Sequence, residues 1–200
     1  SITEGQKNRW LIRIDDQETF YQKQQQAAIN TLEEQISHLP ELLPMDQLTK
    51  VRGIRQLPEE RLKIWADKWM LDPSVAPLVR SYLFESLARL GVSEKVGYLT
   101  LQGELVELIP AEIGIDDTLQ NQILTSLSRR LGDQDPILLT NLSEQVRVEM
   151  AFLYPLQFAF TEPEAWTASY LAEYSGSTEV LEESVEKIRG KIKQAMLGYD

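Results

Sequence analysis

Acidic side chains are the most abundant groups able to do chemistry in this 200-residue chain, with 31 Asp and Glu against 20 Lys and Arg. Carboxylates act as general acids, general bases or ligands to hard cations when several converge on one point. The closest clusters are Asp15-Asp16, Asp116-Asp117, and Asp133 with Asp135. Each lies where a helix is expected to start, and there a carboxylate satisfies unpaired backbone N–H groups without further function. Glu149 stands apart, because Val148, Met150, Ala151 and Phe152 surround it in sequence. It reads either as a buried acid with a raised pKa or as the polar edge of an amphipathic helix, paired with Arg147 or water.

The rest of the catalytic inventory is thin. There is one histidine, His38, and no cysteine. That excludes thiol catalysis and zinc sites built from several Cys or His ligands. His38 stands beside Leu39-Pro40 at an expected helix end, where a cation favours the dipole. No Gly-x-Ser-x-Gly elbow, phosphate-binding Gly-x-x-x-x-Gly-Lys-Ser/Thr loop or Gly-x-Gly-x-x-Gly fingerprint occurs. Asn141-Leu142-Ser143 matches a glycosylation sequon but falls inside an expected helix. No catalytic residue, cofactor ligand or metal ligand is assigned.

Aromatic side chains are the remaining candidates. Trp65 and Trp69, like Trp166 and Tyr170, stand four residues apart, while Tyr154, Phe158 and Phe160 gather about Pro155. Such stripes usually belong to a core. Where they are exposed, Trp and Tyr are the strongest anchors for a partner. The candidate partner-binding residues are therefore Trp65, Trp69, Tyr154, Phe158, Phe160 and Trp166.

The elements that must position these residues are mostly helices. Residues 1–14 show no clear period, although Trp10, Ile12 and Ile14 alternate. From Asp16 to about Ser37 neither Gly nor Pro occurs, and Ile29, Leu32, Ile36 and Leu39 recur at helical steps. Pro40 and Pro44 interrupt the chain before a short helix in which Asp46 could act as a cap. Pro58-Glu59-Glu60 opens the next helix, and another runs from near Ser74 to Gly91. These two form an αα-hairpin. Residues 96–109 break the pattern with an antiparallel hairpin turning at Gln102-Gly103, which sets Leu99 opposite Val106 and points Leu99, Leu101, Val106 and Leu108 inward.

Four helices complete the chain. The first starts at Asp116 or Asp117, and the second runs from Asp135-Pro136 to Pro155. The third follows a capping box at Thr161-Glu162-Pro163-Glu164, and the fourth follows Ser177. Leu156, Phe158 and Phe160, stranded in the connection after Pro155, are expected to dock into the core. The fold class is all-α with one β-hairpin. It divides as an N-terminal helical segment over residues 1–72 and a helical domain with the inserted hairpin over 73–200, or as one continuous domain.

Net charge is −11 and uneven: residues 1–90 hold 12 basic and 13 acidic side chains, residues 91–200 hold 8 and 18. Such a field repels phosphate backbones, so nucleic acid is an unfavourable partner. The basic stretch Lys50, Arg52, Arg55, Arg61 and Lys63 is interrupted by Glu59 and Glu60. No run of apolar residues is long enough to cross a bilayer, and the N-terminal residues show no basic flank followed by an apolar core and a small-residue cleavage site. The expected compartment is the cytoplasm. Ser1, in place of an initiator Met, is what a C-terminal piece of a longer chain would show.

From Val79 onward the order of motifs is distinctive. Val79-Arg80-Ser81-Tyr82-Leu83-Phe84-Glu85-Ser86-Leu87 leads to Gly91-Val92, a hairpin and Ile109-Pro110. Phe152-Leu153-Tyr154-Pro155, Ala165-Trp166 with Tyr170, and Gly176 come next. This resembles the C-terminal region of uncharacterised tetratricopeptide-repeat-like proteins from low-GC Gram-positive bacteria, over about residues 73–176. The resemblance implies a helical fold with an inserted hairpin, sometimes attached to repeats that bind other proteins, and it brings no catalytic residues. The expected function is thus a cytoplasmic protein-interaction module or adaptor, with another protein as partner. The alternative is a carboxylate-based enzyme or cation-binding protein. A concave pocket holding Glu149 or paired aspartates with strongly shifted pKa values would favour the alternative, and an exposed aromatic groove without such carboxylates would favour the adaptor.

Overall fold

From Thr3 to Leu39 the chain contains no proline, and its many Gln, Glu, Lys and Ala residues favour helix. The computed structural model, which describes residues 3–177 and 180–199, accordingly begins with a long helix, α1 (Glu4–Ser37). The Thr3 N–H donates to Gln6 Oε1 at 3.0 Å and fixes the first turn. This helix starts earlier than Asp16 and takes in the alternating Trp10, Ile12 and Ile14. A lone strand there would leave its backbone groups unpaired, whereas a helix satisfies them within the segment. At 1.5 Å per residue α1 is about 50 Å long. Only its last turns, through Ile29, Leu32 and Ile36, meet the rest of the protein.

Prolines punctuate the next three helices. Pro44 starts α2 (Pro44–Val51), Pro58 precedes α3 (Glu59–Trp69), and Pro77 starts α4 (Pro77–Arg89). In first-turn positions proline sacrifices no needed N–H and its φ suits the helix. Asp46 lies in the first turn of α2 rather than at its cap. A buried glutamine couples these helices: Gln47 Nε2 donates to Ser74 O at 2.8 Å, and the Ala76 N–H donates to Gln47 Oε1 at 2.7 Å. The first core gathers on this frame from Ile36, Val51, Ile54, Leu62, Trp69, Val79, Leu83, Phe84 and Leu87. Gly91, at φ 68°, then turns the chain out of α4 in the left-handed region that glycine adopts freely.

The expected hairpin forms from β1 (Val96–Leu99) and β2 (Leu105–Leu108), an antiparallel pair. Its register differs by one residue from the pairing expected of the sequence: Tyr98 faces Val106 and Leu99 faces Leu105. The turn holds three residues, Leu101-Gln102-Gly103, in place of two. The Gly103 N–H donates to Thr100 O at 3.0 Å, Gly103 takes φ 81°, and the Thr100 N–H donates to Glu104 O at 2.8 Å. A turn closed by a left-handed glycine is the usual three-residue hairpin solution. The slip exchanges the faces of β1 alone: Val96 and Tyr98 are buried in place of Leu99, while Val106 and Leu108 pack on the first core as expected and Leu105 is exposed. The hairpin lies on the α3–α4 turn, where the Leu99 N–H donates to Met70 O at 3.0 Å and buried Arg80 Nε donates to Leu99 O at 3.0 Å.

After a four-residue helix, α5 (Pro110–Ile113), a second core is assembled by α6 (Thr118–Leu131), α7 (Pro136–Leu153), α8 (Pro163–Ser175) and α9 (Glu183–Met196). It contains Leu119, Ile123, Leu127, Leu142, Val146, Trp166, Tyr170, Val185, Ile188 and Ile192. Asp135 caps α7 as expected, accepting from the Leu138 N–H at 2.9 Å. The capping box at Thr161 does not close. Glu162 precedes α8 without a side-chain cap, and Glu164 instead accepts from Ser126 Oγ at 2.8 Å and pairs with Arg130. An ion pair and a hydroxyl donor together outcompete a single local backbone N–H for the carboxylate. Likewise α9 begins at Glu183, with Glu182 rather than Ser177 at its cap.

Helix makes up 73% of the structure, with one two-stranded hairpin, as the periodicity of the sequence implies. The two cores join at α4 and α7: Ser81 Oγ donates to Tyr154 O at 2.6 Å, and Phe84 meets the Tyr154 ring edge-on. The closing turn, Leu197–Tyr199, lays Tyr199 against both cores. No described helix is long and apolar enough to cross a membrane.

Candidate functional site

Glu149 sits on α7 and is fully buried. Its partner is not the neighbouring Arg147 but Arg189 on α9, with Nε to Oε2 at 2.8 Å and Nη2 to Oε1 at 3.0 Å. Tyr170 Oη donates to Oε2 at 2.8 Å and Gln145 Nε2 to Oε1 at 3.0 Å. The guanidinium also lies 3.8 Å from the Tyr170 ring centre, donates to Ser169 Oγ at 2.6 Å and pairs with Glu173 at 2.9 Å. Burial alone would lower the Arg189 pKa, but the bonds from Glu149 outweigh it and hold the cation firmly protonated. Burial, and then the Glu149 charge, push the Tyr170 phenol well above its ordinary value. Both carboxylate oxygens of Glu149 are occupied, so the group ties three helices together and offers no face to a substrate.

The paired aspartates are placed differently. Asp116 and Asp117 line a cleft of about 270 Å³ together with Glu85, Arg89, Arg147 and Tyr154. Hydrogen bonds from the Thr118 side chain and backbone hold the Asp116 carboxyl below the usual carboxylate range. Glu85 lies between Arg55 and Arg89, at 3.5 and 2.6 Å. Tyr154 Oη donates to Gly114 O at 2.8 Å, which commits it as a wall of the cleft. A general acid needs a carboxyl kept protonated, and the environment of Asp116 does the reverse. Asp15 and Asp16 lie far off on the exposed part of α1. Among the described residues no three His, Cys, Asp or Glu side chains are gathered as a metal-binding group. His38 caps α1 at the surface, 3.4 Å from Glu41.

The six aromatic candidates fall into three environments. Trp166 and Trp69 are core residues, with Trp166 wholly enclosed; a partner cannot reach either without opening the fold. Trp65 is half-buried, stacked on Trp69 at 5.8 Å with its N–H on Glu33 at 3.2 Å. Tyr154 and Phe160 are half-buried too, Phe160 meeting Trp166 edge-on at 5.3 Å. Only Phe158 is largely open, at 50% exposure. Of the three apolar residues after Pro155, Leu156 and Phe160 dock into the second core as expected and Phe158 does not.

A longer row of exposed apolar side chains lies elsewhere. Every described residue of α1 up to Ala28 is exposed, among them Trp10 (66%), Leu11, Ile12, Ile14, Phe20 (63%) and Tyr21. Monomers rarely leave so many large apolar groups together in water. Sequence reasoning missed this face because residues 1–14 showed no period when taken alone. The signal becomes visible once Trp10, Ile14, Tyr21 and Ala28 are set on one continuous helix. A separate apolar groove of about 520 Å³ runs between α2, α4, α7 and α9, lined by Met45, Leu48, Leu78, Val148 and Phe152. Its single charged wall residue, Lys193, is already paired with Glu173. No protein-family model, curated protein or solved structure matches the chain.

Proposed function

We propose that this chain is a cytoplasmic protein-interaction module whose contact element is the free part of α1, residues 4–28. The observation that carries this reading is the row of large apolar side chains standing in solvent on a helix that touches the body only at its far end. An isolated helix of this length gains little stability from propensity alone, so a stable arm of this kind calls for a partner to pack on. The body supplies a rigid mount: Glu33 on α1 is bonded to Arg61 and Trp65 of α3, and the bond from Arg61 keeps the Glu33 carboxyl below its ordinary value. Nucleic acid is the less favoured partner because of the net charge of −11.

The test is site-specific photocross-linking in extracts of the native cells. A benzophenone side chain at position 20 should give a defined adduct, lost on Trp10→Glu or Tyr21→Glu, while one at exposed position 137 on α7 should give none. Equal adducts from both positions, or adducts indifferent to the two charges, would defeat the reading.

A further inference from the structure

We infer that the partner of the free arm is a second copy of this chain, joined arm to arm in an antiparallel two-helix pair centred between Asp15 and Asp16. This rests on the protein-interaction reading of the arm and gives it an occupant. Along the exposed part of α1 a seven-residue frame sets three of the six large apolar side chains, Trp10, Ile14 and Tyr21, on one seam. Ile14, Tyr21 and Ala28 share one seam position, and Trp10, Gln17 and Gln24 the other. An antiparallel pair stacks one seam position against the other. With the centre placed there, Trp10 meets the partner's Tyr21, Ile14 meets the partner's Gln17 and Lys7 meets the partner's Gln24. Two-fold symmetry repeats each contact. The glutamines at the seam set register more than strength.

The flanks agree with this register. Arg13 comes beside the partner's Phe20, placing a guanidinium on an aromatic ring. Leu11 comes beside the aliphatic stem of the partner's Glu18. Five of the six exposed apolar side chains thus enter one self-complementary contact, while Arg9, Asp15, Asp16 and Lys23 stay on the outer side. The stripe that meets the body, Ile29, Leu32 and Ile36, is turned roughly 70° around the helix from the seam, so body and partner do not compete for one face.

Charge selects the direction. Residues 4–28 carry four basic and four acidic side chains, so the arm is neutral and the whole net charge of −11 lies elsewhere. A parallel pair would bring two such bodies side by side. The antiparallel pair holds them about 40 Å apart along the axis, several Debye lengths in ordinary salt. The five side chains, each more than half exposed, offer about 600 Å² per arm, below the about 800 Å² per partner of a standard interface. A contact of this size belongs with weak, reversible associations, for which a micromolar Kd is expected.

Sedimentation equilibrium of the full chain from about 1 to 300 µM, spanning such a Kd, should show the mass rising from 22.9 kDa towards twice that value. Trp10→Glu and Tyr21→Glu should each abolish the rise and leave the melting temperature of the dilute monomer unchanged, since neither side chain touches the body. Direction is read by disulfide trapping, for which the absence of cysteine gives a clean background. Lys7→Cys mixed with Gln24→Cys should cross-link, and neither variant should cross-link with itself. Self-cross-linking of each variant without mixed product would overturn the antiparallel pair. A monomer at every concentration, with a position-20 adduct to a different protein, would overturn the second copy and leave the interaction reading standing. A monomer with no such adduct would defeat both.

Discussion

Glu149 and Arg189 show what a buried charge does when every lone pair and N–H is matched. Taking both ions out of water is costly, and only the two-point geometry and the added bonds to Tyr170, Ser169 and Gln145 offset it. Removing one member leaves the other charged and dry. We expect Glu149→Leu or Arg189→Met to cost about 3–5 kcal/mol in urea denaturation, and the two together to recover part of that loss. A double variant as unstable as the sum of the singles would contradict a mutually compensating pair. The aromatic residues after Pro155 divide on the same principle of burial. Phe160→Ala should cost about 2 kcal/mol, less than the 3–5 of a fully buried Phe, and Phe158→Ala less than 1. Equal losses at the two positions in chemical denaturation would contradict their different exposures.

Among the elements, α1 is the one whose two parts obey different physics. Its last turns are held by Ile29, Leu32 and Ile36 against the first core, whereas residues 4–28 rest on their own hydrogen bonds. In dilute solution, where copies stay apart, amides of residues 8–25 should exchange with deuterium far faster than those of α4 or α7, because local opening there breaks no tertiary contact. Protection equal to that of α7 in the dilute monomer would show that the arm packs back on the body. The hairpin teaches a related lesson at element scale. Its existence was legible from the alternation around Gly103, but its register was not. Apolar residues stand on both faces of β1, Val96 and Tyr98 on one and Leu99 on the other, so pattern alone could not choose between turns of two and three residues.

At the scale of the molecule, the two cores are tied by side chains that belong to both. Tyr154 links Ser81 and Phe84 of α4 to the end of α7, and Tyr199 packs on each core. Burial pushes the Tyr199 phenol up to about 12, so it stays neutral across the physiological range and adds no charge to that junction. With this coupling the body should unfold in one step. Variants retaining only Trp69, in the first core, or only Trp166, in the second, should give coincident urea midpoints by fluorescence. Midpoints separated beyond the effect of the substitutions themselves would show two independently folding halves.

Local chemistry in the chain settled a good deal. Asp135-Pro136 opens α7 and Gly91 follows the end of α4 as read, α2 and α4 begin at Pro44 and Pro77, within three residues of the Asp46 and Ser74 expected, and the three-and-four spacing of Leu, Ile and Val marks which faces turn inward. These features act within a few residues, and a linear reading sees them whole. The partner of Glu149, the diversion of Glu164 from its capping box to Ser126 and Arg130, and the enclosure of Trp166 beside the openness of Trp10 and Phe20 were decided only by tertiary structure. Each depends on residues tens of positions away. A carboxylate's partner is chosen by distance in space, and an aromatic stripe becomes core or contact surface according to whether another helix lies on it, which spacing along one helix does not encode.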